Sequence, residues 1–253
     1  MMKLSPYYFR RSVFSFLPYT VVVALLFTIA SCSKNDAVVT EETGLETSDT
    51  MFNRLITVLN FGEALPDDMN NTDEQAPIFF SLEQNQAVSV TYKKSARWDL
   101  TFSGIYRSFM GGNNNNNSGN FGYQGSGKGG IAIYAKDFDK VTDIPDDSVF
   151  RTGSGIIGTD DAGFYGQGVG YYVYDFGGTL YGDGSPETRH VAYVLQSGRT
   201  VVIKTAKGNY AKIKMLSIYK NMLDPKQWKR DSPHPYFSFQ YVLAKVGSKK
   251  FAL

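Results

Sequence analysis

An all-β fold built mainly from antiparallel strands is predicted for this chain of 253 residues, on three observations. Aromatic side chains are abundant, 18 Phe and 17 Tyr, and they favour the pleated, half-buried surface of a sheet. Glycine, the residue of tight turns, occurs 25 times. Apolar residues recur with a period of two in short runs, whereas no long window carries a helical stripe.

The N-terminal segment departs from that pattern. Residues 1–12 carry Lys3, Arg10 and Arg11 and no acid, and residues 13–30 are almost wholly apolar apart from Pro18. A basic start, an apolar stretch and small residues at its end form a secretory signal. Its last residues, Ile29-Ala30-Ser31-Cys32, resemble a bacterial lipobox, and Cys32 is the only cysteine. Residues 1–31 are therefore expected to be a lipoprotein signal peptide and Cys32 the lipidated residue, with lipid chains rather than a helix holding the membrane. Removing them takes three basic residues and no acid, so a net charge of +2 becomes about neutral. Residues 32–50 have few large apolar side chains and read as a flexible tether. Ser33-Lys34-Asn35-Asp36 resembles export signals of surface lipoproteins in Bacteroidetes-type bacteria, which implies an outer-membrane lipoprotein on the cell surface.

A single β domain is expected over residues 51–253. Residues 55–61 form an apolar run closed by Gly62, and Val88, Val90 and Tyr92 alternate with polar residues. Trp98, Leu100 and Phe102 alternate with Asp99, Thr101 and Ser103, the signature of a half-buried strand. Further strands are expected at 131–135, 171–176, 190–195, 200–205, 210–219 and 236–243. Lys207-Gly208-Asn209 separates two of these and reads as a tight hairpin turn.

Two loops stand out. Residues 111–130, rich in Gly and Asn, are expected to be a flexible turn. Residues 153–184 mix glycine with aromatics, among them Tyr165, Tyr171, Tyr172 and Tyr181, which are candidate ligand contacts. The first loop carries glycine spacings that imitate phosphate-binding motifs: Gly122, Gly127 and Lys128, and Gly125, Gly127 and Gly130. Both motifs need a helix to follow so that its N-terminus faces the phosphate, and here a strand-like run follows instead. They are rejected.

Composition excludes several functions. One cysteine cannot build a disulfide within the chain or a multi-thiolate metal site. A near-neutral chain lacks the basic footprint of a nucleic-acid binder. No Gly-x-Ser-x-Gly elbow occurs, and the pairs Asp146/Asp147 and Asp160/Asp161 lie in turns where solvated carboxylates are ordinary, so no enzyme activity is expected. His234, between Pro233 and Pro235, reads as an exposed surface residue. His190 at the start of a strand reads either as a partly buried histidine or as an axial metal ligand.

The order of features resembles the HmuY family of haem-binding surface lipoproteins. Trp98-Asp99-Leu100-Thr101-Phe102 is followed by the Gly/Asn-rich loop, Gly129-Gly130-Ile131-Ala132, Asp137-Phe138-Asp139-Lys140-Val141 and the strand with Tyr172 and Tyr174. The block from Thr200 to Lys214, then Ser217-Ile218-Tyr219 and Tyr236-Phe237-Ser238-Phe239-Gln240-Tyr241, complete the resemblance, which spans roughly residues 87–245. It implies an all-β domain that holds one haem between two loop-borne axial ligands, His or Met, and delivers it toward an outer-membrane receptor. His190 is the first ligand candidate. The second would be expected in residues 153–170, which hold neither His nor Met, so Met110 stands in as candidate. No metal other than haem iron is implied. The alternative is a binding module of the same fold that recognises glycan or protein through its aromatic loops, where Tyr offers contact area at low entropic cost.

Overall fold

The computed structural model describes residues 46–65, 73–160 and 168–252; the signal segment, Cys32 and Tyr165 lie outside them. The strands are β1 (Leu55–Gly62), β2 (Glu74–Ser81), β3 (Gln86–Val88), β4 (Leu100–Ile105), β5 (Phe109–Gly112), β6 (Gly130–Tyr134), β7 (Tyr172–Asp175), β8 (Val191–Val194), β9 (Thr200–Lys204), β10 (Tyr210–Ser217) and β11 (Tyr236–Ala244). Five form an antiparallel sheet in the order β1-β11-β10-β9-β6, four form a second in the order β3-β2-β4-β5, and β7 pairs with β8 alone. Only 3-10 turns interrupt the strands among the described residues, so the chain is all-β as expected. No helix among them is long and apolar enough to cross a membrane.

The two larger sheets share one core. Along β11, Phe237, Phe239, Tyr241 and Leu243 fall on one face by the two-residue period and meet Phe80, Leu100 and Phe102 of the other sheet. Phe102 stacks on Phe237 at 3.7 Å between centroids, and Phe80 meets Phe239 edge-on at 5.4 Å. The opposite face of the five-stranded sheet is covered too, by Val141 and Phe251 packed on Val202 and Ala244. Lys212 of β10 is buried under this cover, where its ammonium donates to the carbonyls of Phe138 and Val141 at 3.1 Å and lies over the Phe138 ring. Those bonds replace the water that burial removes.

Four local expectations change. The run 87–92 is a strand only to Val88, because the Ser89 hydroxyl accepts the Thr91 N–H and caps a 3-10 turn over Val90–Tyr92. Strand β4 is buried on both faces rather than half-buried: Thr101 and Ser103 point away from the core but lie under Ser154 and Gly155. Strand β2 was hidden by Pro77, around which the register with β4 shifts between Gln75 and Ile78. Strand β5 was hidden by Gly111 and Gly112, whose missing side chains let neighbouring backbone approach. A Cβ at Gly112 would lie 2.7 Å from the Gly130 carbonyl carbon. Gly112→Ala is therefore expected to lower stability by ~1–3 kcal/mol through overpacking, read as a reduced urea midpoint.

The Gly/Asn-rich loop between β5 and β6 is not a flexible turn. Asn113 donates to the carbonyls of Ser95 and Trp98, and Asn114 to that of Gly129, each at 2.8 Å. Asn120 donates to the carbonyls of Gly112 and Thr152 while its own oxygen accepts the N–H groups of Asn114 and Gly122. Side-chain amides do here what a ladder does in a sheet. The glycines of the phosphate-like spacing serve this packing: a Cβ on Gly127 would sit 2.2 Å from the Asn113 oxygen, and one on Gly125 1.9 Å from the Lys94 carbonyl.

A buried carboxylate pair joins the two sheets. Asp99, at the mouth of β4, accepts the N–H groups of Leu82, Glu83 and Ala206, the last from the turn between β9 and β10. Glu83 accepts from the Thr205 hydroxyl at 2.6 Å and the Asn209 amide at 2.9 Å, and lies 3.7 Å from the Lys207 ammonium. Burial, followed by the charge of Glu83, pushes the Asp99 carboxyl up to about 7, against the pull of its backbone N–H bonds. A carboxyl whose folded value is raised contributes stability that is complete below its unfolded value, ~4, and is lost as pH rises through the folded one. Stability is expected to fall between about pH 4 and 7 by this group, and Glu83→Gln to reduce the fall in part, since burial remains. Thermal unfolding of both proteins across that range checks it; identical slopes would rule the pair out as the cause.

Candidate functional site

One end of the structure carries a cleft of about 520 Å3. Its walls are Ile105, Tyr106, Ser108 and Phe109 at the β4–β5 turn, Tyr171, Tyr172, Tyr174 and Phe176 on and beside β7, Ile218 and Tyr219 just after β10, and Phe237 of β11. His190, Ala192, Arg230, His234 and Pro235 complete it. The size lies within the ~300–1,000 Å3 typical of small-molecule sites, and an apolar, aromatic wall with few polar groups is their usual composition.

Tight local structure aims these side chains. Tyr106 and Arg107 both have positive φ, 52° and 54°, and the Ser108 N–H closes on the Ile105 carbonyl at 3.0 Å, forming a two-residue hairpin turn that carries Tyr106 to the cleft. Arg107 is tied down by the Ala76 carbonyl and by Glu63. On the far side, the Asp175 carboxylate accepts the N–H groups of Thr179, Leu180 and Tyr181, while its carbonyl accepts that of His190 at 2.9 Å. Although burial works to raise the Asp175 carboxyl, these backbone bonds outweigh it and hold the group below its ordinary value. His190 itself has φ of 61°, a left-handed conformation uncommon outside glycine.

The two imidazoles differ in what their hydrogen bonds dictate. His234 Nδ1 lies 2.7 Å from the Ser232 carbonyl, which can only accept, so in the neutral ring Nδ1 carries the proton and Nε2 keeps its lone pair. That is the arrangement by which metal-binding histidines are oriented. The ring packs 5.9 Å from Tyr106 and 5.7 Å from Tyr219. His190 Nδ1 lies 2.9 Å from the Tyr174 hydroxyl, a partner that can donate or accept, and the Phe176 ring meets it edge-on at 4.7 Å. The loops bearing the two histidines are joined where the Arg230 N–H donates to the Glu187 carbonyl at 2.8 Å.

The residues expected from sequence fall in different places. His190, Tyr171 and Tyr172 line the cleft; Tyr171 is buried and donates to the Ser108 carbonyl, and burial raises its phenol well above the ordinary value, so it stays neutral. Tyr181 is 56% exposed, outside the cleft walls, with its ring 5.0 Å from Tyr193. Met110 is fully buried in the core opposite Phe102, because the inward register of β5 directs it and not its position at a loop edge. It does not line the cleft. His234 corrects the reading as an exposed residue: it is half-buried and part of the wall. The available signal was a histidine set between two prolines directly before an aromatic strand. Among the described members of the carboxylate pairs, Asp147 and Asp160 have structural partners. Asp147 binds Lys204 at 2.6 Å and Tyr210 at 2.9 Å, and Asp160 takes Arg199 through two bonds of 2.7 and 2.8 Å. Among the described residues no three His, Cys, Asp or Glu side chains gather into a metal site.

Fold and cleft together define an all-β protein whose site is an aromatic pocket with two imidazoles in its wall. The chain belongs to the HmuY family: the family model described as HmuY protein matches residues 73–239. Among solved structures it is similar to a candidate lipoprotein of Bacteroides fragilis NCTC 9343, with 13% identity, 75% of this chain and 91% of that chain covered, and a TM-score of 0.37. It is also similar to a candidate HmuY-like heme binding protein of Bacteroides vulgatus ATCC 8482, with 9% identity, 78% and 95% covered, and a TM-score of 0.35. No curated protein matches the chain.

Proposed function

We propose that this protein is a haem-binding lipoprotein that captures haem at the cell surface and passes it toward an outer-membrane receptor, without catalytic turnover. The observation that carries the reading is the meeting of the chain's only two histidines on one aromatic cleft. Neutral imidazole suits iron, and aromatic walls suit the faces of a porphyrin. The residues fit such a ligand: His234 offers an Nε2 lone pair, His190 a second imidazole, and Tyr106, Tyr172, Phe176 and Tyr219 apolar surface. Anchoring would come from lipid on Cys32, with residues 33–50 as tether, as the lipobox implies; the end of that segment is held to the domain, where Asp49 takes the Lys245 ammonium at 2.7 Å. Membership of the HmuY family supports the same reading.

The test is titration of the mature protein with hemin, followed by absorbance. A saturable Soret shift is expected, and its absence would end the haem reading. A second reading, contact with glycan or protein, draws on Phe176, Leu180 and Tyr181, exposed by 69%, 65% and 56%. Binding of such a partner that survives loss of both histidines would favour it.

A further inference from the structure

We propose that Arg230 recognises a carboxylate of the cleft's ligand, so that the site selects a porphyrin bearing acidic side chains over its uncharged ester. This rests on the haem reading above.

Arg230 is the one Asp, Glu, Lys or Arg among the cleft-lining residues. Its backbone is held on two sides, by the bond to the Glu187 carbonyl and by the turn in which the Ser232 N–H reaches the Lys229 carbonyl and the Ser232 hydroxyl accepts the Lys229 N–H. The same turn supplies the carbonyl that orients His234, so one rigid segment presents both the imidazole and the guanidinium. Among the described residues no ion pair joins a carboxylate to Arg230; Glu187, whose carbonyl holds its backbone, directs its carboxylate to the Lys229 ammonium at 3.9 Å instead, and the neighbouring Asp231 is exposed. A half-buried cation beside aromatic walls has lost part of its hydration without gaining an anion among the described residues. A planar guanidinium meets a carboxylate through two parallel hydrogen bonds, so a ligand carboxylate would supply what is missing. Hemin carries two carboxylates at one edge of an otherwise apolar ring, which matches a cleft with one cation in an otherwise uncharged wall.

The experiment compares hemin with hemin dimethyl ester in the same mixed solvent, using the mature wild-type protein, Arg230→Ala and Arg230→Lys, with thermal unfolding as a check of folding. Wild type is expected to bind hemin roughly 10- to 100-fold more tightly than the ester, the range of a charge-assisted hydrogen bond. Arg230→Ala should lose that advantage with the ester unaffected, and Arg230→Lys should keep part of it. Equal binding of acid and ester by wild type overturns the proposal while leaving the haem reading intact. An equal loss for both ligands in Arg230→Ala also overturns it, since that is the mark of a structural role. If neither ligand binds wild type, the haem reading fails and the proposal with it.

Discussion

Replacing both cleft histidines, His190→Ala together with His234→Ala, is expected to abolish the Soret shift produced by hemin. Each imidazole contributes differently. His234 enters with its tautomer set by the Ser232 carbonyl, so its Nε2 is ready to coordinate without rearrangement. His190 depends on the Tyr174 hydroxyl, which can satisfy either tautomer and must accept from Nδ1 for Nε2 to coordinate. Each single variant should therefore leave a weaker complex with the spectrum of an iron that has lost one imidazole, and His234→Ala should weaken it more. Because loss of an outer partner of a metal ligand already costs ~10- to 100-fold in affinity, loss of the ligand itself should reach or exceed the upper end. The measurement is the absorbance titration, with the oxidised and reduced spectra recorded for all four proteins. Wild-type spectra and affinity in the double variant would remove these histidines from the site.

The largest expected loss of stability linked to the site is that of Trp228→Ala. Trp228 is 1% exposed, opens the segment that carries Arg230 and His234, and packs 5.9 Å from Tyr193 and 5.4 Å from Tyr219. Its indole N–H donates to the Met222 carbonyl at 3.0 Å. Truncation would leave a cavity under the cleft and an unpaired carbonyl, at a cost of ~3–5 kcal/mol. Since whole domains are stable by only ~5–15 kcal/mol, that is a large fraction of the total. Tyr219, which flanks His234, loses its support in the same step, so hemin affinity should fall as well. Urea unfolding of the variant against wild type and Trp228→Phe checks the first part and hemin titration the second. An unchanged urea midpoint would show that the indole is not a support of this segment.

Much of the fold is legible in the sequence. Period-two alternation marks a strand wherever one face meets the core and the chain is free of local competitors, as in β10 and β11. It failed where a side chain offered the backbone another partner, as Ser89 does, or where packing demanded a residue of low strand propensity, as at Gly111, Gly112 and Pro77. The Gly/Asn-rich loop misled for a related reason. Composition reports the freedom of the unfolded chain, whereas the course of this loop is set by amide bonds from Asn113, Asn114 and Asn120 to partners in other segments.

The lining of the cleft is half legible in the sequence. His190, Tyr171 and Tyr172 lie on it, whereas Met110, named for its nearness to a loop, and Tyr181, named for the aromatic composition of its loop, do not, because neither signal reports the direction in which a strand or loop turns a side chain. His234 was passed over because its neighbours, Ser232, Pro233 and Pro235, describe a surface loop, and surface loops are where binding residues are also found.

Local chemistry alone therefore settled the class of the fold and the position of most strands, since both depend on patterns a few residues long. Only the packed molecule decided which side chains share the cleft. Tyr106, Tyr172, His190 and His234 come from four separate segments, and long-range strand pairing together with the Arg230–Glu187 backbone bond brings them to one place. No short-range pattern encodes such a meeting, because it is a property of how the sheets and loops close on one another.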